Sequence, residues 1–315
     1  LLDETDMGLM PGAQHQQNKG AGQARLDWRT GAALLIGNVA LAFGPWLVRL
    51  ADVGPSASAM WRMALAAPVL FLIAAQLRQP LRLPRSALYW TMFLSGLFFA
   101  ADLAAWHIGI LMTKLANSTL FANAASLFFP IWGYLVARSL PNRREGLSFA
   151  LAAAGAILLM GRSAELSRDN LLGDLLCLAA GIFYTGYLIV IARAREEMAS
   201  WPLLAWSTLA TVLPLLLIAV ALGERIWPSD WTPLIALAVV SQLIGQGMMV
   251  YALGRVTPLV FGLALLTQPI VSAAMGWVWY DETLAAPDWI GAALIGLALV
   301  LVRQPDRASM RAGQD

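Results

Sequence analysis

The sequence predicts an all-α polytopic membrane protein of ten transmembrane helices, arranged as two inverted five-helix repeats. Three observations predict it: an apolar composition with few charges, a train of apolar runs at bilayer-spanning length, and an internal repeat between the two halves. Of 315 residues, 59% are hydrophobic and only 13% charged, with a mean hydropathy of +0.66. Soluble domains average roughly 45–50% apolar and about 25% charged residues, so this chain cannot clothe a water-facing surface. A helix crosses a bilayer in about 20 mostly apolar residues. Apolar runs fall at residues 31–50, 57–77, 87–111, 116–137, 146–161, 170–192, 201–222, 231–253, 257–280 and 286–302. The fifth, the shortest, suits a position inside a bundle.

The segments outside these runs are short. Residues 1–29 are rich in Gly, Gln and Asp, lack apolar periodicity, and are expected to form a disordered cytoplasmic tail; they have no signal-peptide core. Residues 304–315 form a second expected cytoplasmic tail. The repeats are expected at 30–162 and 170–303. Basic residues set the orientation. With a cytoplasmic N-terminus, fifteen fall on the cytoplasmic side, including Arg78, Arg82, Arg85, Arg138, Arg143, Arg144, Arg193 and Arg195. Only Arg49, Lys114, Arg162, Arg168 and Arg225 fall opposite, and Arg62 lies within a span. The positive-inside rule therefore puts both termini in the cytoplasm, in a plasma membrane of the bacterial inner-membrane kind.

Composition also excludes functions. A net charge of +2, with no basic stripe among aromatics, gives no reason to invoke nucleic acid. A single cysteine, Cys177, rules out an internal disulfide framework and a cysteine metal cluster. No phosphate loop, metal-spaced His/Asp/Glu set or nucleophilic triad is apparent, so neither a cofactor, a metal nor an enzymatic reaction is expected. The expected partners are the lipid bilayer and a small-molecule substrate, with monomer and homodimer both open.

The repeat is visible in register. Met112-Thr-Lys-Leu-Ala-Asn-Ser118 leads to Pro130, and Tyr251-Ala-Leu-Gly-Arg-Val-Thr257 leads to Pro269, each twelve residues on. Polar turns follow at 140–144 and 280–283, then small-residue helices containing Gly155 or Gly296. Five helices are an odd number, so the second copy inserts upside down. Inverted repeats of this kind mark secondary transporters, with the site near the midplane between the repeats.

Candidate substrate-binding residues are polar or aromatic side chains on shared helix faces, where a polar stripe must avoid lipid. Asn38 shares a face of the first helix with Pro45. Phe99, Asp102 and Trp106 share one on the third, with His107 nearby but about 140° from Asp102. Asn123 and Ser126 align with Pro130 on the fourth, and Tyr184 sits on the sixth. Gln242 and Gln246 share a face of the eighth, Phe261 and Gln268 one of the ninth. The cavity is expected between the third, fourth, eighth and ninth helices. Interhelical hydrogen bonding is the plain alternative for each. Asp102 could bind a substrate ammonium, carry a coupling proton or pair with Arg62. For His107 a structural hydrogen bond outweighs a proton relay. Pro130 and Pro269 free a carbonyl four residues upstream and are expected to mark gating bends.

Met60-Trp-Arg62 early in the second helix, Lys114-Leu-Ala-Asn-Ser-Thr119 at the entry to the fourth, and Asp281-Glu-Thr before a Gly/Ala-rich last helix resemble the drug/metabolite transporter superfamily. Within it the chain is similar to EamA-type proteins and to YddG-type amino-acid exporters. The turns depart from the usual Leu-Gly-Glu, reading Tyr280-Asp-Glu282 and Asn142-Arg-Arg144. The resemblance implies secondary transport, exporting or exchanging small metabolites. Amides, Asp102 and aromatic walls suit an amino acid, and a single deep arginine argues against phosphorylated substrates. Other metabolites or drugs, and a non-transporting assembly role, are the alternatives.

Overall fold

The computed structural model describes residues 27–83, 85–161, 168–281 and 286–303. Residues 1–26, 84, 162–167, 282–285 and 304–315 lie outside the described residues; of the expected N-terminal tail 1–29, Trp28 and Arg29 already belong to the first helix. The described elements are helical: α1 Trp28–Ala42, α2 Gly44–Leu50, α3 Pro55–Gln76, α4 Ala87–Met112, α5 Leu115–Ala122, α6 Ala125–Ala137 and α7 Arg143–Gly161. They continue as α8 Arg168–Ala194, α9 Ser200–Ala221, α10 Thr232–Leu237, a π-helical segment Ala238–Gln246, α11 Gly247–Leu253, α12 Pro258–Leu265, α13 Thr267–Tyr280 and α14 Ala286–Arg303. Among the described residues, 8 helical runs are long and apolar enough to cross a membrane. Helices α7 and α14 fall outside that set. α7 opens on Arg143, Arg144 and Glu145, which shortens its apolar stretch.

Four of the runs are not continuous α-helices, and each interruption has a local cause. Pro45 lacks the amide that would continue α1 into α2, so the chain turns at Phe43. The Ala42 carbonyl there accepts a hydrogen bond from Ser272 Oγ at 3.2 Å. Between α5 and α6, the Asn123 side chain donates to the Thr119 carbonyl at 2.7 Å. An asparagine amide that competes for a helical carbonyl loosens the turn it sits on. Between α12 and α13, Pro269 follows the break at Leu266, and Thr267 Oγ1 donates to the Ala264 carbonyl. The fourth interruption is the π segment, a winding often found at functional sites. Pro130 lies inside α6, and the break falls at Asn123–Ala124 upstream of it.

The core is built from helix pairs. Helix α4 packs on α8 and α9, α3 on α9, α1 on the π segment, α6 on α12, and α7 on α14. Close approach depends on absent side chains. A Cβ placed on Gly96 of α4 would stand 2.7 Å from the Ala210 carbonyl of α9. On Gly262 of α12 it would stand 2.7 Å from the Ser126 carbonyl and 2.8 Å from Pro130 Cγ, both in α6. Small residues at crossings let backbones meet where lipid supplies no hydrophobic drive.

The α3–α9 pair is tied at both ends. At one end the Glu224 carboxylate accepts from the Ser56 and Ala57 amides, at 3.2 and 2.8 Å, capping the first turn of α3. Asp52 accepts from the Ser229 amide at 2.7 Å and faces Arg225 at 3.5 Å. Trp61 donates to the Ile226 carbonyl at 2.7 Å and packs against Trp227 and Trp231. At the other end Trp206 donates to the Leu81 carbonyl at 2.8 Å, and Arg85 faces Glu197 at 3.5 Å.

Two predictions follow from this packing. Gly96→Val forces α4 and α9 apart and lowers stability by about 1–3 kcal/mol, whereas Gly146→Ala, with open space around it, stays within about 0.5 kcal/mol of the parent. Thermal unfolding in detergent measures both. The Ser229 amide and the Arg225 guanidinium hold the Asp52 carboxyl below its ordinary range. A depressed carboxyl stabilises the fold above its unfolded pKa of about 3.9 and loses that effect as pH falls through the folded value. Melting temperatures should therefore separate the parent from Asp52→Asn at pH 7, and the gap should narrow as pH falls below about 3.9.

Candidate functional site

A small cavity of about 40 Å³ lies at the centre of the bundle. It is walled by Leu41 of α1, Arg62 of α3, Phe99, Asp102, Leu103 and Trp106 of α4, Ala122 and Asn123 at the end of α5, Tyr184 of α8, Gln246 of the π segment and Gln268 of α13. Each of the four interrupted runs contributes to the wall at or beside its interruption.

Helix α4 supplies the longest wall. Phe99, Asp102, Leu103 and Trp106 recur at the spacing of one helical face. The Trp106 indole N–H donates to the Ser118 carbonyl at 3.2 Å, which ties the ring to α5. The aromatic wall continues onto α8: Phe99 stacks on Tyr187 at 4.4 Å between centroids, and Tyr187 on Tyr184 at 5.7 Å. Gln246 meets both tyrosine hydroxyls at 3.4 Å, so its amide is oriented by the aromatic pair.

Two charged residues face this space. Arg62 is 1% exposed and Asp102 6%. They are near enough to interact electrostatically, yet no ion pair within 4.0 Å joins them among the described residues. Nε and one terminal nitrogen of Arg62 are buried without a hydrogen-bond partner. Direct pairing, one of the sequence-based readings of Asp102, is thus not what the geometry shows.

Of the residues singled out by sequence, Phe99, Asp102, Trp106, Asn123, Tyr184, Gln246 and Gln268 come together on the cavity wall. Asn38, His107, Ser126, Gln242 and Phe261 do not. Asn38 stands behind the wall: its Nδ2 donates to the Leu34 carbonyl at 2.7 Å, and its Oδ1 accepts from Gln268 Nε2 at 2.8 Å. His107 Nδ1 shares a 2.8 Å hydrogen bond with Ser58 Oγ. Gln242 donates to Thr208 Oγ1 on α9 at 2.9 Å. Phe261 packs edge-on against Phe129, and Ser126 is buried at the α6–α12 crossing. Pro130 and Pro269 sit in α6 and in the first turn of α13, off the wall. Arg62 was weighed in the sequence only as a partner of Asp102. A lone arginine inside an apolar run is itself the signal for a wall position. The wall also draws on α1, α3 and α8, beyond the four helices expected.

A bundle of apolar helices long enough to span a membrane, around a cavity that holds Arg62, Asp102 and three amide side chains at helix interruptions, is the arrangement expected of a membrane transporter. Comparison with known proteins carries this further. Residues 171–304 match the EamA-like transporter family. The threonine/homoserine exporter RhtA of Salmonella typhimurium strain SL1344 is 27% identical over 161 residues, 49% of this chain and 55% of that protein. The uncharacterized transporter YwfM of Bacillus subtilis is 25% identical over 232 residues, 69% of this chain and 74% of that protein. The chain thus spans about half the length of the exporters it matches. A crystal structure of 17% identity superposes with a TM-score of 0.67, over 87% of this chain and 95% of that one, which speaks to the fold. The second half of the chain is thus similar to EamA-type proteins, and the relatives support a drug/metabolite transporter of that type.

The Asn38–Gln268 bond yields a prediction. Asn38→Ala removes an acceptor and leaves the Gln268 amide buried without it, at a cost of about 1–3 kcal/mol. In the double variant with Gln268→Leu, part of that loss is recovered. A double-mutant cycle on thermal stability measures the coupling, and strict additivity would show that the two amides act independently.

Proposed function

We propose that this protein is a secondary transporter that works by alternating access and exports or exchanges small organic metabolites, amino acids foremost. The observation that carries the reading is the central cavity, where Asn123, Gln246 and Gln268 line the wall at the interruptions of three membrane helices, beside Arg62 and Asp102. Broken helices free backbone and side-chain groups that can replace a substrate's hydration shell, and transporter sites are built this way. The cavity also combines amides, an acid, a base and aromatic surface, the set an amino acid needs. The Salmonella relative, a threonine/homoserine exporter, supports the same substrate class.

The helix pairing supports two five-helix repeats, 30–162 and 170–303, with α7 and α14 as the fifth and tenth spans. Counting spans in order, the α4–α8 contact is the third against the sixth, and the α1–π contact is the first against the eighth. Exchanging the halves converts one pairing into the other. The α5–α8 and α1–α13 contacts interconvert likewise, and the α3–α9, α6–α12 and α7–α14 pairs map onto themselves. The basic-residue asymmetry supports cytoplasmic termini in a plasma membrane. The Glu224 and Asp52 clamp then lies on the outer side.

Counterflow in proteoliposomes loaded with the twenty common L-amino acids tests the function. Saturable exchange of one or more is expected, and flux of none of them overturns the amino-acid assignment. In a Cys177→Ala background, an impermeant maleimide applied to intact cells should label Ser229→Cys and spare Arg143→Cys; labelling of the latter reverses the topology. Pro269→Ala restores an amide toward the Leu265 carbonyl and should slow exchange several-fold with little loss of stability, because the break it stiffens borders the cavity.

A further inference from the structure

We infer that Arg62 and Asp102 grip opposite ends of one substrate, Arg62 its carboxylate and Asp102 its ammonium, so that the cavity selects zwitterions. The inference rests on the transport reading and adds the orientation of the bound molecule.

Two opposite charges in a low-dielectric interior attract strongly and close on each other unless something holds them apart. Here they are held apart. Arg62 projects from α3 and Asp102 from α4, and both face the same cavity without an ion pair. Arg62 keeps two buried nitrogens with no hydrogen-bond partner. The polar groups around it are engaged elsewhere: Gln268 donates to Asn38, Gln246 meets the two tyrosine hydroxyls, and the Trp106 indole donates to Ser118, so none of them is bonded to those two nitrogens. A guanidinium with free planar donors matches a carboxylate, and no other acidic side chain lines this space.

A single molecule carrying both charges satisfies both residues at once. A substrate with only a carboxylate leaves Asp102 unpaired and adds a second negative charge beside it. One with only an ammonium leaves Arg62 unpaired and adds a positive charge. Each therefore meets a repulsive partner as well as losing an attractive one, which is how a site rejects a near-isostere strongly. The aromatic wall of Phe99, Trp106 and Tyr184 is left for the side chain of the substrate, an apolar surface that places few limits on its shape. The charges thus fix the class and the register, and the rings tolerate variety.

The test uses the full chain in proteoliposomes. The L-amino acid with the largest counterflow in the twenty-member screen is compared with its methyl ester, which masks the carboxylate, and its N-acetyl form, which masks the ammonium. Both analogues should compete with the parent amino acid about 100-fold or more weakly. Arg62→Gln should shrink the discrimination against the ester and keep that against the N-acetyl form; Asp102→Asn should do the converse. A wild-type protein that accepts either analogue as well as the free amino acid overturns the assignment and leaves transport standing. Variants that both lose discrimination against the same analogue overturn the assigned register. Flux of no amino acid overturns the transport reading itself. Because the wild-type comparison needs no variant, misfolding of Arg62→Gln or Asp102→Asn does not rescue the inference.

Discussion

A backbone carbonyl inside a bilayer has no water to turn to, and the protein is organised around that constraint. An unbroken helix meets it automatically, so an interruption is permitted only where another group takes over. Ser272 donates to Ala42, Thr267 donates to Ala264, and the Asn123 side chain adds a second donor to the Thr119 carbonyl beside its own backbone N–H. Each repair places a polar side chain at membrane depth, and each lies beside the cavity. The broken backbone and the polar cavity are therefore one feature. A bundle of continuous helices from the same apolar residues would have neither.

Side chains show where repair stops. Among the described residues, the buried polar atoms without a partner include those of Arg62, His107, Ser241 and Gln242, on α3, α4 and the π segment. Unpaired buried groups cost stability, and they persist here on elements that wall the cavity. The clamps at the two ends of α3 and α9 hold the helix that carries Arg62 in place. The most costly group in the interior thus rides on a firmly anchored helix.

Much of this was legible in the sequence. Apolar run length located the membrane helices to within a few residues, because span length is set by the bilayer. The i, i+3, i+7 spacing of Phe99, Asp102 and Trp106 identified a wall of the cavity, because α4 is a regular helix. The failures share a cause: they depend on departures from regular winding or on partners far along the chain. Gln242 and Gln246 share an ideal helical face, but the π winding turns one toward Thr208 and the other toward Tyr184. Asn38 serves Gln268 across 230 positions, which no local pattern reveals. The bend of the fourth run was assigned to Pro130, yet an asparagine side chain seven residues earlier breaks the helix first. Arg62 and Asp102 suggested a pair because opposite charges usually meet, and only the packing of α3 and α4 shows them apart.

The cap on α3 has a consequence for how the chain is made. The carboxylate that satisfies its first amides belongs to Glu224, 168 residues beyond Ser56. Chains grow at about 5–20 residues per second. After the start of α3 emerges, the ribosome therefore works on for roughly ten to thirty seconds before its cap exists. Throughout that interval the second span must wait in the membrane with its leading amides turned to the water and lipid headgroups at the surface. Its end is sealed only when the seventh span arrives alongside. The closing of this clamp is thus a late assembly event that joins the first half of the protein to the second, and a chain truncated before Glu224 cannot reach it.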